Sequence, residues 1–579
     1  MSQFLSSKRF PNFINHQNIN SLLISTSYIR KVTNLQHIIY KQYATSAFKK
    51  PIYITTPIFY VNAIPHIGHL YSAVIADSLK RYYELKGHKV IFSTGTDEHG
   101  LKIKQSAEKS KMNPQEFCDQ VSSKFKELFD IANISYTTFI RTTEQRHKDA
   151  VKYFWKCLMN NGFIYKGRYK GWYSVSDEAF YNTSHVQEIQ NPDSKEKLMI
   201  ATESGQSVEW TIEENYKFRL SEFQDKLKSW LEENPQVIMP INKFNEVKAW
   251  IDSGLSDLSI SRPHSRLDWG VDVPEDSEQT VYVWLDALIN YLTVTGFPWP
   301  HDDMNGWPVD IHVIGKDILK FHAVYWPAFL MAANLPLPQK ILAHSHWTME
   351  KQKMSKSRGN VVDPIKVMND YGVDTIRYYL MRDGGIADDG DYSDENIKVR
   401  YRKDLAGQLG NLVSRSISPA LNPSSIVPSA PKFLGEIAEK DANLYYKLQS
   451  LPDLVDKHFQ NMEFGKGLSF IFDAIAEANK YFTDNEPWKL KNDKNQKEAV
   501  NNILFYSVET VRISGILLQP VMPTKMSELL DRLGIQKDQR TWEYARFGRG
   551  WDLNNNHNRK IKFHHDEKSV LFPKFKLTK

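Results

Sequence analysis

Cysteine is almost missing from this chain of 579 residues; only Cys118 and Cys157 occur. Two thiols exclude a disulfide framework or a cysteine zinc knuckle, and both read as reduced residues in or near a core. No run of eighteen or more apolar residues is present, so no helix is expected to insert in a membrane. No internal repeat is found. Acidic residues are absent from residues 1–50, and the first in the chain is Asp77. Lys8, Arg9, Arg30, Lys31, Lys41, Lys49 and Lys50 fall in that stretch, among many Ser, Asn and Ile. Such composition fits a mitochondrial presequence, removed near Tyr43 to Lys50, and predicts a matrix protein. A disordered basic tail is the competing reading. Subtracting these seven charges from the formal net charge of +6 leaves −1 for the remainder. Bulk basicity is therefore no argument for nucleic-acid binding, which must rest on local residues.

The length exceeds what one hydrophobic core serves, so three or four domains are expected. "PIYITTPIF" (51–59) reads as a buried β-branched and aromatic strand. "LYSAVIADSLKRYYELKG" follows with apolar spacing near 3.6 and stops at Gly87, and "KVIFST" (89–94) is the next strand. Strand, helix and strand at these lengths make a βαβ unit and hence a parallel sheet with helices on its faces. Residues 163 to about 225 change to short strand-like pieces and read as a small insertion. "YVWLDALINYL" (282–292) and "DIHVIGKDILKFHAVYWPAFL" (310–330) return to strand-then-helix signals, so two separated halves build the sheet. The expected fold is an α/β, Rossmann-like parallel-sheet catalytic domain over 51–340, followed by an α-helical bundle. A region over 341–396 that includes the loop "TMEKQKMSKSRGN" joins it to helices over 397–579, which "NPSSIVPSAP" (422–431) interrupts.

Two motifs carry chemistry. In "PHIGHL", His66 and His69 stand at i and i+3 where a strand hands over to a helix, with Gly68 between them. Free backbone N–H groups and the helix dipole favour an anion there, and two imidazoles on one face can reach the same ligand. A metal pair is the rival reading, although sequence places no third ligand. "KMSKS", Lys353 to Ser357, lies in a polar loop after the strand "KILAHSHW". Two loop lysines are ordinarily solvated charges. A mobile lysine can also meet negative charge that develops on a polyphosphate only in the transition state.

With "HIGH" and "KMSKS" in this order on two halves of one sheet, the chain resembles the class I aminoacyl-tRNA synthetases, and among them the methionyl-tRNA synthetases. The likeness runs from about Ile52 to at least Met526, through "TTPIFYVNAIPHIGH", "STGTDEHG", "FIRTTEQRH", "VYVWLDALINYL", "HVIGKDILKFHAVYWP", "KMSKSRGNVVDP" and "DTIRYYLMRD". The resemblance implies ATP-dependent formation of methionyl-adenylate, then transfer of methionine to the 3′ end of tRNA(Met). It implies that His66, His69 and Lys356 act on the phosphates as the catalytic set. Gly68, Gly315, Asp317 and Lys353 complete the ATP site, and Mg2+ arrives with ATP.

Tyr60, Asp97, Trp284, Ala287, Tyr291, Ile318, His322 and Trp326 match the family's methionine site, with Asp97 as acceptor for the amino group. Spacing alone favours a core stripe for the aromatic members. Asn411, Arg415 and Trp488 match its anticodon site, where an aromatic plane stacks a splayed base and polar groups read its edge.

One departure concerns the insertion, which in the family often carries CxxC knuckles. Here "WYSVSDEAFY" has Ser174 and Asp177 where two cysteines would sit, so no metal and specifically no zinc is expected. Its small size speaks against the enzymes with large editing domains. His564 and His565 read as solvated residues, and the absence of an appended C-terminal module suggests a monomer. Two other functions compete: a different nucleotidylyltransferase, which leaves Asn411, Arg415 and Trp488 unexplained, and a non-catalytic RNA-binding protein, which leaves the intact His66, His69, Lys356 and Asp97 unexplained.

Overall fold

A computed structural model describes residues 50–174, 179–181, 183–190, 197–202, 204–300, 304–354, 362–424, 426–428, 437–549 and 570–573. The central sheet has six strands: β1 (Ile52–Tyr60), β2 (Val90–Asp97), β3 (Thr138–Arg141), β4 (Ile238–Met239), β5 (Ile311–Gly315) and β6 (Ile341–His344). Their order is β3-β2-β1-β5-β6-β4, and every pairing is parallel. The parallel sheet expected from the βαβ pattern is present. Helix α1 (Ile67–Leu85) connects β1 to β2.

The order runs outward from β1 in both directions, towards β2 on one side and β5 on the other. Connections therefore leave opposite ways at the carboxyl ends of β1 and β5, and a crevice opens there, where open α/β sheets bind ligands. Strand β1 gains one residue over β2 between Thr55 and Ile58. Pro57 sits in this bulge, where a residue without an N–H costs the ladder least. Gly95 in β2 is dictated by packing: a β-carbon there would lie 1.9 Å from the Ile140 carbonyl oxygen of β3.

Strands Ile164–Ser174 and Glu209–Phe218 pair antiparallel between the two halves of the sheet sequence, with Leu258–Ser259 on one edge and Ala179–Tyr181 on the other. After β6 the chain is mainly helical, including Val373–Asp383, Glu439–Gln460, Phe464–Asp484 and Lys497–Leu518. A π-helical stretch, Tyr401–Gly410, runs directly into the helix Asn411–Ser416.

One hydrophobic cluster joins α1 and β1 to these later helices, with Tyr82, Tyr378, Leu448, Ile475 and Leu504 among its members. At its centre Arg377 donates to Asp77 of α1 at 2.6 Å, both side chains wholly buried. Burial works against the Asp77 carboxylate, but the guanidiniums of Arg377 and Arg81 together with the Ser135 amide and hydroxyl outweigh it and hold the group below the usual range.

Candidate active site

A cavity of about 430 Å³ occupies the crevice at the carboxyl ends of β1, β2, β5 and β6. Tyr60 closes β1, Asp97 closes β2 and Gly315 closes β5, and all three line it. Asp97 is 6% exposed. The amino end of α1 supplies His66, Gly68 and His69.

The two imidazoles hold each other. His66 caps α1, its Nδ1 accepting from the Gly68 amide at 3.1 Å, while His69 Nδ1 accepts from the His66 amide at 3.1 Å. Their rings stack with centroids 3.8 Å apart. Because each Nδ1 accepts, the proton of each neutral ring sits on Nε2. The motif thereby fixes two tautomers as well as two positions. A β-carbon at residue 68 would lie 2.9 Å from His66 Cε1, so glycine is needed by the cap itself and not only by a ligand. The first turn of α1 carries no acidic residue, and both rings are half-buried. The arrangement offers N–H donors and a helix N-terminus to an anion.

A second group of lining residues is different in kind. Trp284 and Ala287 of the helix Val283–Leu288 belong to it, with Tyr291, Ile318 and His322. Trp284 stacks on Phe321 at 3.6 Å. His322 Nδ1 lies 3.0 Å from the Ile318 carbonyl oxygen and must donate to it, so Nε2 accepts from the Tyr291 hydroxyl at 2.8 Å. Burial pushes the His322 imidazole down to about 4, more than the Ile318 carbonyl raises it, so the ring is neutral near pH 7. These residues are mostly aromatic and apolar, and the Tyr291–His322 pair spends its hydrogen bonds internally.

Trp326, expected with that group, does not line the cavity. It is 0% exposed and stands behind Tyr291, ring centroids 6.1 Å apart, against Phe154 and Trp307. His322 lies within the π-helical turn Phe321–Tyr325, which runs directly into Trp326, and its wider pitch takes the next residue of the 3.6 series off the cavity face.

Asp317 is exposed at the rim, 3.7 Å from His346 Nε2. Lys353 ends a short strand, Gln352–Lys353, paired with Trp347–Met349, and the next residue, Met354, lines the cavity. Lys356 lies outside the described residues, as do Asp177, His564 and His565; Ser174 is buried. Cys118 is buried and Cys157 partly so. Among the described residues no three His, Cys, Asp or Glu side chains are gathered to hold a metal ion.

Sequence reasoning missed Ser72 and His344, which also line the cavity. His344 Nδ1 donates to the Ser345 carbonyl at 2.8 Å, so its Nε2 accepts from the Ser72 hydroxyl at 2.8 Å. The available signal was a histidine at the carboxyl end of a strand in "KILAHSHW".

Far along the chain, Asn411 and Arg415 meet the helix Phe464–Asp484. Asn411 Nδ2 donates to Asn479 Oδ1 at 3.0 Å, and Arg415 donates to Thr483 Oγ1 at 3.1 Å. The Arg415 guanidinium lies 5.7 Å over the Phe482 ring, which stands 6.3 Å from the 42% exposed Trp488. The three residues thus form one cluster.

The sequence profile of "tRNA synthetases class I (M)" matches residues 52–417, and that of "Anticodon binding domain of methionyl tRNA ligase" matches 429–555. The chain belongs to the methionyl-tRNA synthetase family. A probable mitochondrial methionine–tRNA ligase of Neurospora crassa is 46% identical over 513 residues, 87% of this chain and 82% of that protein. The mitochondrial methionine–tRNA ligase of Homo sapiens is 46% identical over 505 residues, 84% and 85% of the two chains. Among solved structures, the Mycobacterium tuberculosis methionyl-tRNA synthetase in complex with methionyl-adenylate superposes with a TM-score of 0.84 at 40% identity. That match covers 91% of this chain and all of the other. As a methionyl-tRNA synthetase, this chain has both halves of a class I crevice built by one continuous parallel sheet.

Proposed function

We propose that this crevice binds L-methionine and ATP side by side and carries out both steps of methionine–tRNA ligation in the mitochondrial matrix. The observation that carries the reading is that two unlike sets of side chains line one cavity. Half-buried imidazoles with Nε2–H tautomers make up one set, and the satisfied Tyr291–His322 pair belongs to the other.

In the first step a methionine carboxylate oxygen attacks the α-phosphorus of ATP, and the bond to the β-phosphate oxygen breaks. Negative charge accumulates on the departing pyrophosphate. His66 and His69 donate to it from Nε2, and Lys353 and Lys356 bring positive charge from the loop. Gly315 and Asp317 hold the adenosine. Asp97 accepts from the methionine ammonium, keeping the carboxylate aimed at phosphorus. The thioether lies against Trp284, Ala287, Tyr291, Ile318 and His322, with Trp326 bracing Tyr291 from behind. A polar side chain meeting Tyr291 and His322 finds those two groups already engaged with each other, which disfavours it. In the second step the 3′-terminal ribose hydroxyl attacks the carbonyl carbon, and AMP leaves. Magnesium accompanies the nucleotide's phosphates, and no zinc is held by the insertion.

Asn411, Arg415 and Trp488 read the anticodon of tRNA(Met): Trp488 is exposed for stacking, and the amide and guanidinium are braced to meet a base edge. Residues 1–50 act as the presequence, and the enzyme is a monomer.

Amino-acid-dependent ATP–pyrophosphate exchange tests the central reading. Exchange with methionine alone is expected. Exchange with no amino acid would identify a non-catalytic RNA-binding protein, and nucleotidyl transfer to another acceptor would identify the rival enzyme. Fractionation, metal analysis and light scattering check the matrix location, the lack of zinc and the monomer. Tightly held zinc at one per chain would reject the zinc-free insertion.

A further inference from the structure

Behind the cavity lies a buried group that the chemistry above does not use. Asp286 is 1% exposed and sits in the helix Val283–Leu288 between Trp284 and Ala287. Its Oδ2 is 2.6 Å from His99 Nδ1, and its Oδ1 is 2.9 Å from His147 Nε2. His99 is 1% and His147 0% exposed. On its far side His147 Nδ1 lies 3.0 Å from Thr293 Oγ1, which donates to the Ile289 carbonyl at 3.0 Å. Ring nitrogens in direct contact with the carboxylate leave no room for an ion between them. Burial alone would favour a protonated Asp286, but the two imidazoles overcome it and keep the group ionised.

The placement gives this group a consequence. His99 follows Asp97 by two residues in the turn that closes β2. Asp286 shares one helical turn with Trp284 and Ala287. His147 belongs to a third element, the helix Gln145–Asn160. The apolar and acidic sides of the proposed methionine site thus meet at one carboxylate, held from two directions by N–H donors. Charge-assisted bonds in a dry interior are short and directional, so small displacements are resisted.

We propose that His99, Asp286 and His147 form a positioning clasp that sets the distance between Asp97 and the Trp284–Ala287 wall, and so determines how well methionine fits. The inference rests on the methionine reading of the cavity. His99 and His147 are positioning residues in it, acting through Asp286 and touching no substrate.

The two imidazoles face Asp286 through different nitrogens, which gives a crossed test. An asparagine amide reaches where histidine Nδ1 lies, and a glutamine amide reaches where Nε2 lies. At position 147 His147→Gln keeps the donor to Asp286, whereas His147→Asn loses it. At position 99 the order reverses, with His99→Asn keeping the donor and His99→Gln losing it. Exchange kinetics with methionine and ATP varied separately, alongside thermal melts, give the readout. The donor-losing variants are expected to raise the methionine KM about tenfold or more, and the donor-keeping variants to stay within about twofold of the wild type. The ATP KM should stay within about twofold throughout.

Equal behaviour of Asn and Gln at both positions, or parallel movement of both KM values, would overturn the clasp. If one pair fails to fold, the other decides by the same criterion. Failure of all four to fold would also overturn it, because the group would then serve stability alone. Wild-type exchange with methionine tests the reading of the site itself, independently of the variants.

Discussion

Two hydrogen-bonded ring pairs line the cavity, and they spend their nitrogens differently. In His66 and His69 each Nδ1 accepts from a backbone amide, which fixes the proton on Nε2 in half-buried rings. In the Tyr291–His322 pair the imidazole donates to a carbonyl and accepts from a phenol, and both residues are buried. The first arrangement can meet charge; the second closes a slot against it. Histidine serves both ends because local bonds, and not the residue type, decide which nitrogen carries the proton.

Separating donor from cap is the strongest way to break this comparison. His69→Asn retains an acceptor for the His66 amide but removes the Nε2 donor. Methionine-dependent exchange is expected to fall roughly 10²- to 10³-fold with little change in melting temperature or methionine KM. A comparable loss in KM would place His69 on the methionine side instead. In the other pair, Tyr291→Phe leaves His322 Nε2 without its donor. The expected result is about a tenfold rise in methionine KM, with exchange kcat nearly retained; an unchanged KM would deny that pair its selectivity.

Gly68→Ala presses a β-carbon against the His66 ring and should lower exchange about three- to tenfold through misplacement of the donor. A structure of that variant with His66 unmoved would show that the glycine serves something else.

The smallest effect concerns pH. Burial pushes His322 and His344 down to about 4, whereas in the unfolded chain they titrate near about 6.5. Between those values the unfolded chain binds more protons, so stability rises with pH across the window. The contribution is complete above about 6.5 and is lost as pH falls towards about 4. Denaturation midpoints measured from pH 7 to pH 4.5 should fall steadily, with methionine affinity level between pH 6 and pH 8 while the rings stay neutral. Flat midpoints would mean that these rings gain a proton without cost.

Much of this was legible in the chain. Strand, helix and strand periodicity placed His66 where a strand gives way to a helix, whereas Asp97 and Gly315, which close strands of the parallel sheet, were singled out by family resemblance. The helical spacing of Trp284, Ala287 and Tyr291 placed them on one face, and all three line the cavity. The same spacing failed at Trp326, because a π-helical turn intervenes and sequence periodicity assumes a uniform pitch. Ser72 and His344 went unseen because their bond joins residues remote in sequence.

What the sequence determined by itself was local: element type from side-chain period, an anion-friendly helix start from "PHIGH", and family from ordered motifs. Tertiary structure alone decided which remote hydroxyls the His322 and His344 rings accept from, which aromatic residues face the cavity, and that Asp286 ties its two sides together. Those outcomes depend on partners a few ångströms away in space but, in most cases, tens or hundreds of residues away along the chain. Hydrogen-bond direction and burial depend on such neighbours, and no local pattern records them.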